Sequence, residues 1–165
     1  MKIFRKLVAL AAVALAFTGC SESSDPATEQ ALEGTWMTEY TETEDGIKVI
    51  GYIYDTYSLS DHTFETKATF EFGYPINERF GTVTYSGTWK ASKKAIHQKI
   101  DKDSFEFNFN RSLFDREDCE EFENEMLSEL KKEGYSLGYI ITSPITDTFE
   151  AKDDEGIRYS YTRIN

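Results

Sequence analysis

Phe64-Glu65-Thr66-Lys67-Ala68-Thr69-Phe70-Glu71-Phe72 alternates without a break: Phe64, Thr66, Ala68, Phe70 and Phe72 fall on one side of an extended chain, and Glu65, Lys67, Thr69 and Glu71 on the other. Successive side chains of a strand point to opposite faces, so a period of two marks a strand with one buried face. The same period recurs on both sides of this stretch. Phe105, Phe107 and Phe109 alternate with Glu106, Asn108 and Asn110; Val83, Tyr85, Gly87 and Trp89 alternate with Thr84, Ser86 and Thr88; Ile157, Tyr159 and Tyr161 alternate with Arg158, Ser160 and Thr162. One polar face per strand is the pattern of antiparallel sheets.

Turn-forming clusters separate these runs at Glu44-Asp45-Gly46, Ser60-Asp61-His62, Gly73-Tyr74-Pro75, Ser92-Lys93-Lys94, Asp101-Lys102-Asp103 and Asp153-Asp154-Glu155-Gly156. Strands are expected near 34–44, 47–60, 62–72, 79–90, 94–101, 104–110, 137–142, 145–152 and 157–164. Eight or nine meandering antiparallel strands make a mostly β chain, a barrel or a sandwich, and barrel closure removes exposed edges. One segment departs from the period. Asp115 to Glu133 places Cys119, Phe122, Met126, Leu127 and Leu130 at helical spacing and predicts one amphipathic helix before the last strands. Ser112 with Asp115 reads as a capping box, Lys131 and Lys132 suit the last turn, and Gly134 suits the stop. The outer face of this helix, with Glu117, Glu120, Glu121 and Glu125, is a solvated acidic face.

The chain has 165 residues with 30 acidic and 18 basic side chains, a formal net charge of −12, which argues against nucleic acid as a partner. Aromatic residues make up 15% of it, enough apolar surface to fold a single domain rather than remain disordered. At the N-terminus Lys2, Arg5 and Lys6 precede an apolar run from Leu7 to Phe17, the form of a secretory signal and too short to span a bilayer. Phe17-Thr18-Gly19-Cys20 resembles the bacterial lipoprotein box. That resemblance implies cleavage before Cys20, acylation of its thiol, and anchoring of the mature chain to a membrane, because two or three acyl chains hold where one does not. Ordinary secretion with cleavage after Ala16 is the other reading, and it leaves Cys20 a free thiol. The expected organisation is a signal peptide over 1–19, a lipidated Cys and flexible tether over 20–32, and a β domain over 33–165. Ser21 after the Cys is not the Asp that resembles an inner-membrane retention signal, so the expected address is the cell envelope, at the outer membrane.

Gly34-Thr35-Trp36 resembles the G-x-W signature that opens lipocalin-like barrels, and small bacterial lipoproteins of that kind show the same order: an aspartate turn before Phe, here Ser60-Asp61-His62-Thr63-Phe64, then Tyr85-Ser86-Gly87-Thr88-Trp89. The resemblance implies a lipocalin-like (calycin-type) barrel of eight or nine strands with a helix inserted before the last of them, Trp36 plugging the closed end and Arg163 packing across it.

No nucleophile elbow, phosphate loop or Cys-x-x-Cys pair is present, and His62 and His97 lie apart. Glu106 with Asp101 and Asp103 is the one carboxylate group suited to glycoside chemistry, but 30 acids produce such neighbours by chance. No catalytic residue, metal site or cofactor is assigned, and the chain is read as a non-enzyme. A small antiparallel barrel either fills its interior with side chains or holds one ligand. Tyr54, Tyr85, Trp89, Phe107, Phe109 and Tyr159 are the candidate lining of a cavity for a hydrophobic or aromatic small molecule, with Ala68 and Gly87 as the small inward positions that leave room. The alternative is a packed barrel whose outer surface docks an envelope protein or a glycan.

Overall fold

The computed structural model describes residues 23–44, 46–153 and 156–164. Residues 1–22, which carry the expected signal peptide and Cys20, lie outside the described residues. A short helix α1 (Pro26–Leu32) is followed by β1 (Gly34–Glu44), β2 (Ile47–Ser58), β3 (Thr63–Phe72), β4 (Glu78–Ala91), β5 (Ala95–Ile100) and β6 (Glu106–Phe109). A long helix α2 (Arg116–Lys132) then leads to β7 (Ser136–Ile141), β8 (Thr148–Lys152) and β9 (Arg158–Ile164).

Every described ladder is antiparallel, and the order β1-β2-β3-β4-β5-β7-β8-β9 returns to β1, closing an eight-stranded barrel with β6 as an extra strand. The ring closes through Trp36 opposite Arg163. β4 is long enough to serve two partners on one edge. Its second half, Gly87 to Ala91, pairs with β5, and its first half, Gly81 to Thr84, pairs with β6. β6 therefore diverges from the wall where β5 ends, and the chain leaves the barrel there to form α2.

Alternation sets which side chains meet inside. On β2, Val49, Gly51, Ile53, Asp55 and Tyr57 face inward, opposite Phe72, Phe70, Ala68, Thr66 and Phe64 of β3. Trp36 and Thr38 of β1, Tyr85 and Trp89 of β4, Gln98 of β5 and Tyr161 of β9 complete the same layers, and all are buried.

The two helices pack at opposite ends of the barrel. α1 begins at Asp25, whose carboxylate accepts from the Thr28 amide and hydroxyl at 3.0 and 2.7 Å, with Pro26 at the first helical position. Seven residues do not hold a helix in water by themselves, so docking must stabilise it. Leu32 is fully buried, the Trp36 indole donates to its carbonyl at 2.7 Å, and buried Glu29 accepts from the Ala91 amide at 3.1 Å. This corrects the tether expected over 20–32: residues 26–32 are helical and belong to the barrel's closed end.

α2 covers the opposite end, burying Cys119, Phe122, Met126 and Leu130. Phe122 meets Phe109 edge to face at 5.1 Å, and Phe114, just before the helix, packs between Phe72 and Phe80 at 6.1 and 5.6 Å. Each large apolar side chain buried this way is worth about 1.5–3 kcal/mol. The N-cap is Asp115, accepting from the Asp118 amide at 2.9 Å; the expected capping box from Ser112 does not form, because that hydroxyl donates to Asn110 Oδ1 at 2.6 Å.

Candidate functional site

Asp55 is an acid on a face otherwise made of Val49, Ile53 and Tyr57, and the barrel closes over it. It is 2% exposed. The Thr66 hydroxyl, directly across the β2–β3 ladder, donates to Asp55 Oδ1 at 2.5 Å, and Gln98 approaches the same carboxylate. Gln98 Nε2 also donates to the Tyr57 hydroxyl at 2.9 Å. Gln98 Oε1 is buried without a partner. Thr38 Oγ1, diagonal to Asp55 across β1–β2, is the second buried polar atom without a partner among the described residues.

Burial pushes the Asp55 carboxyl up to about 6, against the Thr66 and Gln98 hydrogen bonds, which favour the charged form. Burial likewise drives the phenols of Tyr57, Tyr85, Tyr139 and Tyr161 above their ordinary range, and the Asp55 charge adds to the shift in each. Tyr85 stands opposite Thr66 in the β3–β4 register and the Tyr57 hydroxyl shares Gln98, which places these two rings in the layer of the carboxylate; Tyr139 and Tyr161 meet edge to face at 6.5 Å in the same ring cluster. Among the described residues no Lys, Arg or His pairs with Asp55. The other two buried acids are engaged: Asp153 accepts from the Ile157 amide and the Tyr159 hydroxyl at 2.8 and 2.9 Å, and Glu29 faces His62 at 3.4 Å besides holding the Ala91 amide. Asp153, which the sequence puts in a turn-forming cluster, is thus a buried structural acid.

The six residues expected to line a cavity separate into four places. Tyr85 lies beside Asp55 and Thr66. Tyr159 is buried in the same ring cluster, 5.8 Å from Tyr139 and bonded to Asp153. Trp89 sits toward the α1 end, its ring tilted against Tyr57 at 4.8 Å and its indole donating to the Ser58 carbonyl at 3.1 Å. Phe107 and Phe109 are on β6, stacked 6.2 Å apart on the side covered by α2. Tyr54 is corrected: its register neighbours Met37 and Lys67 put it on the outer face of β2, 36% exposed. Sequence reasoning missed Asp55, Thr66, Thr38 and Gln98, although a polar residue in phase with an apolar strand face is a signal that could have found them.

Gly87 is also corrected. An added Cβ would lie 2.0 Å from the Lys99 carbonyl oxygen and 2.9 Å from Ile100 Cα, so its small size admits the β5 backbone and opens no interior space. Outside this point a cleft of about 640 Å³ opens across β3, β4 and β5, edged by Ser58, Thr63, Thr88, Lys99 and Asp101. Glu106 is exposed, and Asp101 accepts from the Asp103 amide at 3.0 Å in a surface turn.

At the closed end the Arg163 guanidinium lies 4.2 Å from the Trp36 ring centroid. Its Nη1 and Nη2 donate to the Glu33 and Ala31 carbonyls, each at 2.6 Å, satisfying acceptors that the end of α1 leaves open. Gly34 has φ +111°, and a Cβ there would lie 3.1 Å from Arg163 Nη1, so a glycine suits both the turn out of α1 and the passage of the guanidinium. No protein-family model matches the chain, and no curated protein sequence matches it.

Proposed function

We propose that this chain is a lipid-anchored envelope protein whose barrel holds a small molecule with an aromatic or hydrocarbon body. The observation that carries the binding reading is the interior of an otherwise ring-lined barrel: Thr38 Oγ1 and Gln98 Oε1 are buried and unpartnered beside a buried carboxylate. An unmade hydrogen bond of this kind costs about 1–3 kcal/mol per group, and a bound molecule offering donors would recover it. Non-enzymatic binding is favoured because the acid, the hydroxyl, the amide and the phenol bond to one another inside the barrel rather than standing open in a surface cleft. The anchor is supported by the resemblance at Phe17-Thr18-Gly19-Cys20.

Native mass spectrometry of the chain purified from the organism that makes it tests binding: a discrete added mass, lost on denaturation, is expected. A bare chain that also fails to take up an apolar fluorescent dye would remove the reading. Cys20→Ala tests the anchor, and is expected to leave an unprocessed precursor.

Docking to an envelope protein is the second reading. Tyr74 is 83% exposed and Ile76 44% exposed in the β3–β4 loop at the α2 end, an apolar pair in water on a strongly acidic molecule.

A further inference from the structure

We infer that the molecule held in the barrel is a protonated organic amine, recognised by the Asp55 carboxylate within the rings of Tyr57, Tyr85, Tyr139 and Tyr161. The inference rests on the ligand-binding reading above and names the ligand's class. A buried carboxylate is costly unless a cation or several donors compensate it, and Asp55 has one hydroxyl and one amide. Among the described residues no cation is paired with it: Arg163 is turned to the α1 carbonyls, and His62 faces Glu29. The groups left open around Asp55 are acceptors. Gln98 Oε1 can only accept, and Thr38 Oγ1 offers lone pairs alongside its one proton. A ligand presenting N–H donors and a positive charge matches that set; an anion, or a ligand with acceptors alone, does not.

The rings decide between an organic cation and a metal ion. Calcium or magnesium takes six or more oxygens, usually with several carboxylates. Among the described residues the other two buried acids are already bonded, Asp153 at the edge of the ring cluster to the Ile157 amide and the Tyr159 hydroxyl and Glu29 to the Ala91 amide, and no three His, Cys, Asp or Glu side chains converge. Aromatic faces attract ammonium groups by about 0.5–2 kcal/mol each and give a metal ion no inner-sphere ligand. The titratable groups packed around Asp55 are the phenols of Tyr57, Tyr85, Tyr139 and Tyr161, which burial raises above their ordinary range and so keeps neutral, with Tyr159 and the Asp153 bonded to it behind them. The carboxylate is thus the group whose charge changes with pH in this cluster.

Isothermal titration of the purified full chain with 2-phenylethylamine and with 2-phenylethanol, its neutral counterpart, tests the assignment. At pH 7.5 the amine is expected to bind at least tenfold more tightly than the alcohol. That preference should fall below threefold in Asp55→Asn, and, in the unaltered protein, as pH is lowered from 7.5 to 4.5 while the alcohol's affinity stays level. The pH series keeps the test decisive where Asp55→Asn does not fold. Equal binding of both compounds, or binding of an apolar dye with neither compound, overturns the amine assignment and leaves the ligand-binding reading in place. Failure of both compounds and of the dye overturns both readings.

Discussion

Replacing Arg163 by Met removes the charge while keeping the length and apolar stem of the side chain, and tests what holds the closed end together. Two charge-assisted hydrogen bonds of 2.6 Å to the Ala31 and Glu33 carbonyls are lost, each worth about 1.5–3 kcal/mol when made to a charged donor. The cation–π contact at 4.2 Å from Trp36 is lost with them, at about 0.5–2 kcal/mol. Freeing the side chain returns about 2 kcal/mol of rotamer entropy, and part of the site is open to water, so a net destabilisation of about 2–4 kcal/mol is expected. Equilibrium urea unfolding measures it. Amide exchange locates it: the Glu29 and Glu33 amides of α1 should lose protection far more than β3 or β4. A double-mutant cycle with Trp36→Phe isolates the ring term, expected at about 0.5–2 kcal/mol of coupling. A midpoint within about 0.5 kcal/mol of the parent, or α1 protection left intact, would refute the account of Arg163 as the clamp of α1. Arg163→Lys should fall between, since a single ammonium cannot hold two carbonyls and cover the ring.

Gly87→Ala should destabilise by about 2–4 kcal/mol in the same assay, because its Cβ meets β5 backbone rather than a movable side chain; a near-neutral result would show that β5 can retreat. For Asp55, the folded state holds its proton up to about 6 against an ordinary 3.8, so the ligand-free folded state binds more protons than the unfolded chain between these values. Stability should therefore fall as pH rises through that window, by up to about 3 kcal/mol, and Asp55→Asn should flatten the profile; a parent profile already flat from pH 4 to 7 would contradict the burial argument. Cys119 is 1% exposed with its thiol pushed up by burial, so thiol reagents should label it only as fast as the barrel opens; prompt labelling of the folded chain would contradict the packing of α2.

Alternation was sufficient to locate the walls of the barrel because nearly every strand buries one face, and the helical stripe of Cys119, Phe122, Met126 and Leu130 was unambiguous for the same reason. What escaped was decided by tertiary contacts. Pro26 to Leu32 has too few apolar residues to announce a helix, and only the later arrival of Trp36, Ala91 and Arg163 gives it partners; its local signal was the capping pair Asp25 and Thr28 ahead of Glu29. Tyr54 was misplaced because Tyr52, Tyr54 and Tyr57 put tyrosine on both faces of β2, and residue type then says nothing about phase. Asp55, one step away, carried the phase. Gly87 looked like room because small size does not distinguish a void from a close approach of backbone.

The docking of α1 also fixes a distance. The Asp25 amide is bonded to the Ala91 carbonyl at 2.8 Å, so the chain is tied to the barrel from Asp25 and not only from residue 33. Five residue steps separate it from Cys20, a reach of at most about 18 Å. On the lipid-anchored reading this short leash holds the α1 end, with Lys93 and Lys94 beside Ser23 and Ser24, down at the headgroups. The α2 end, with its acidic helix and its exposed Tyr74 and Ile76, is then the far pole of the molecule. On the ligand-binding reading, a molecule approaching that pole comes through water rather than sideways out of the bilayer, which favours a solute that is itself soluble.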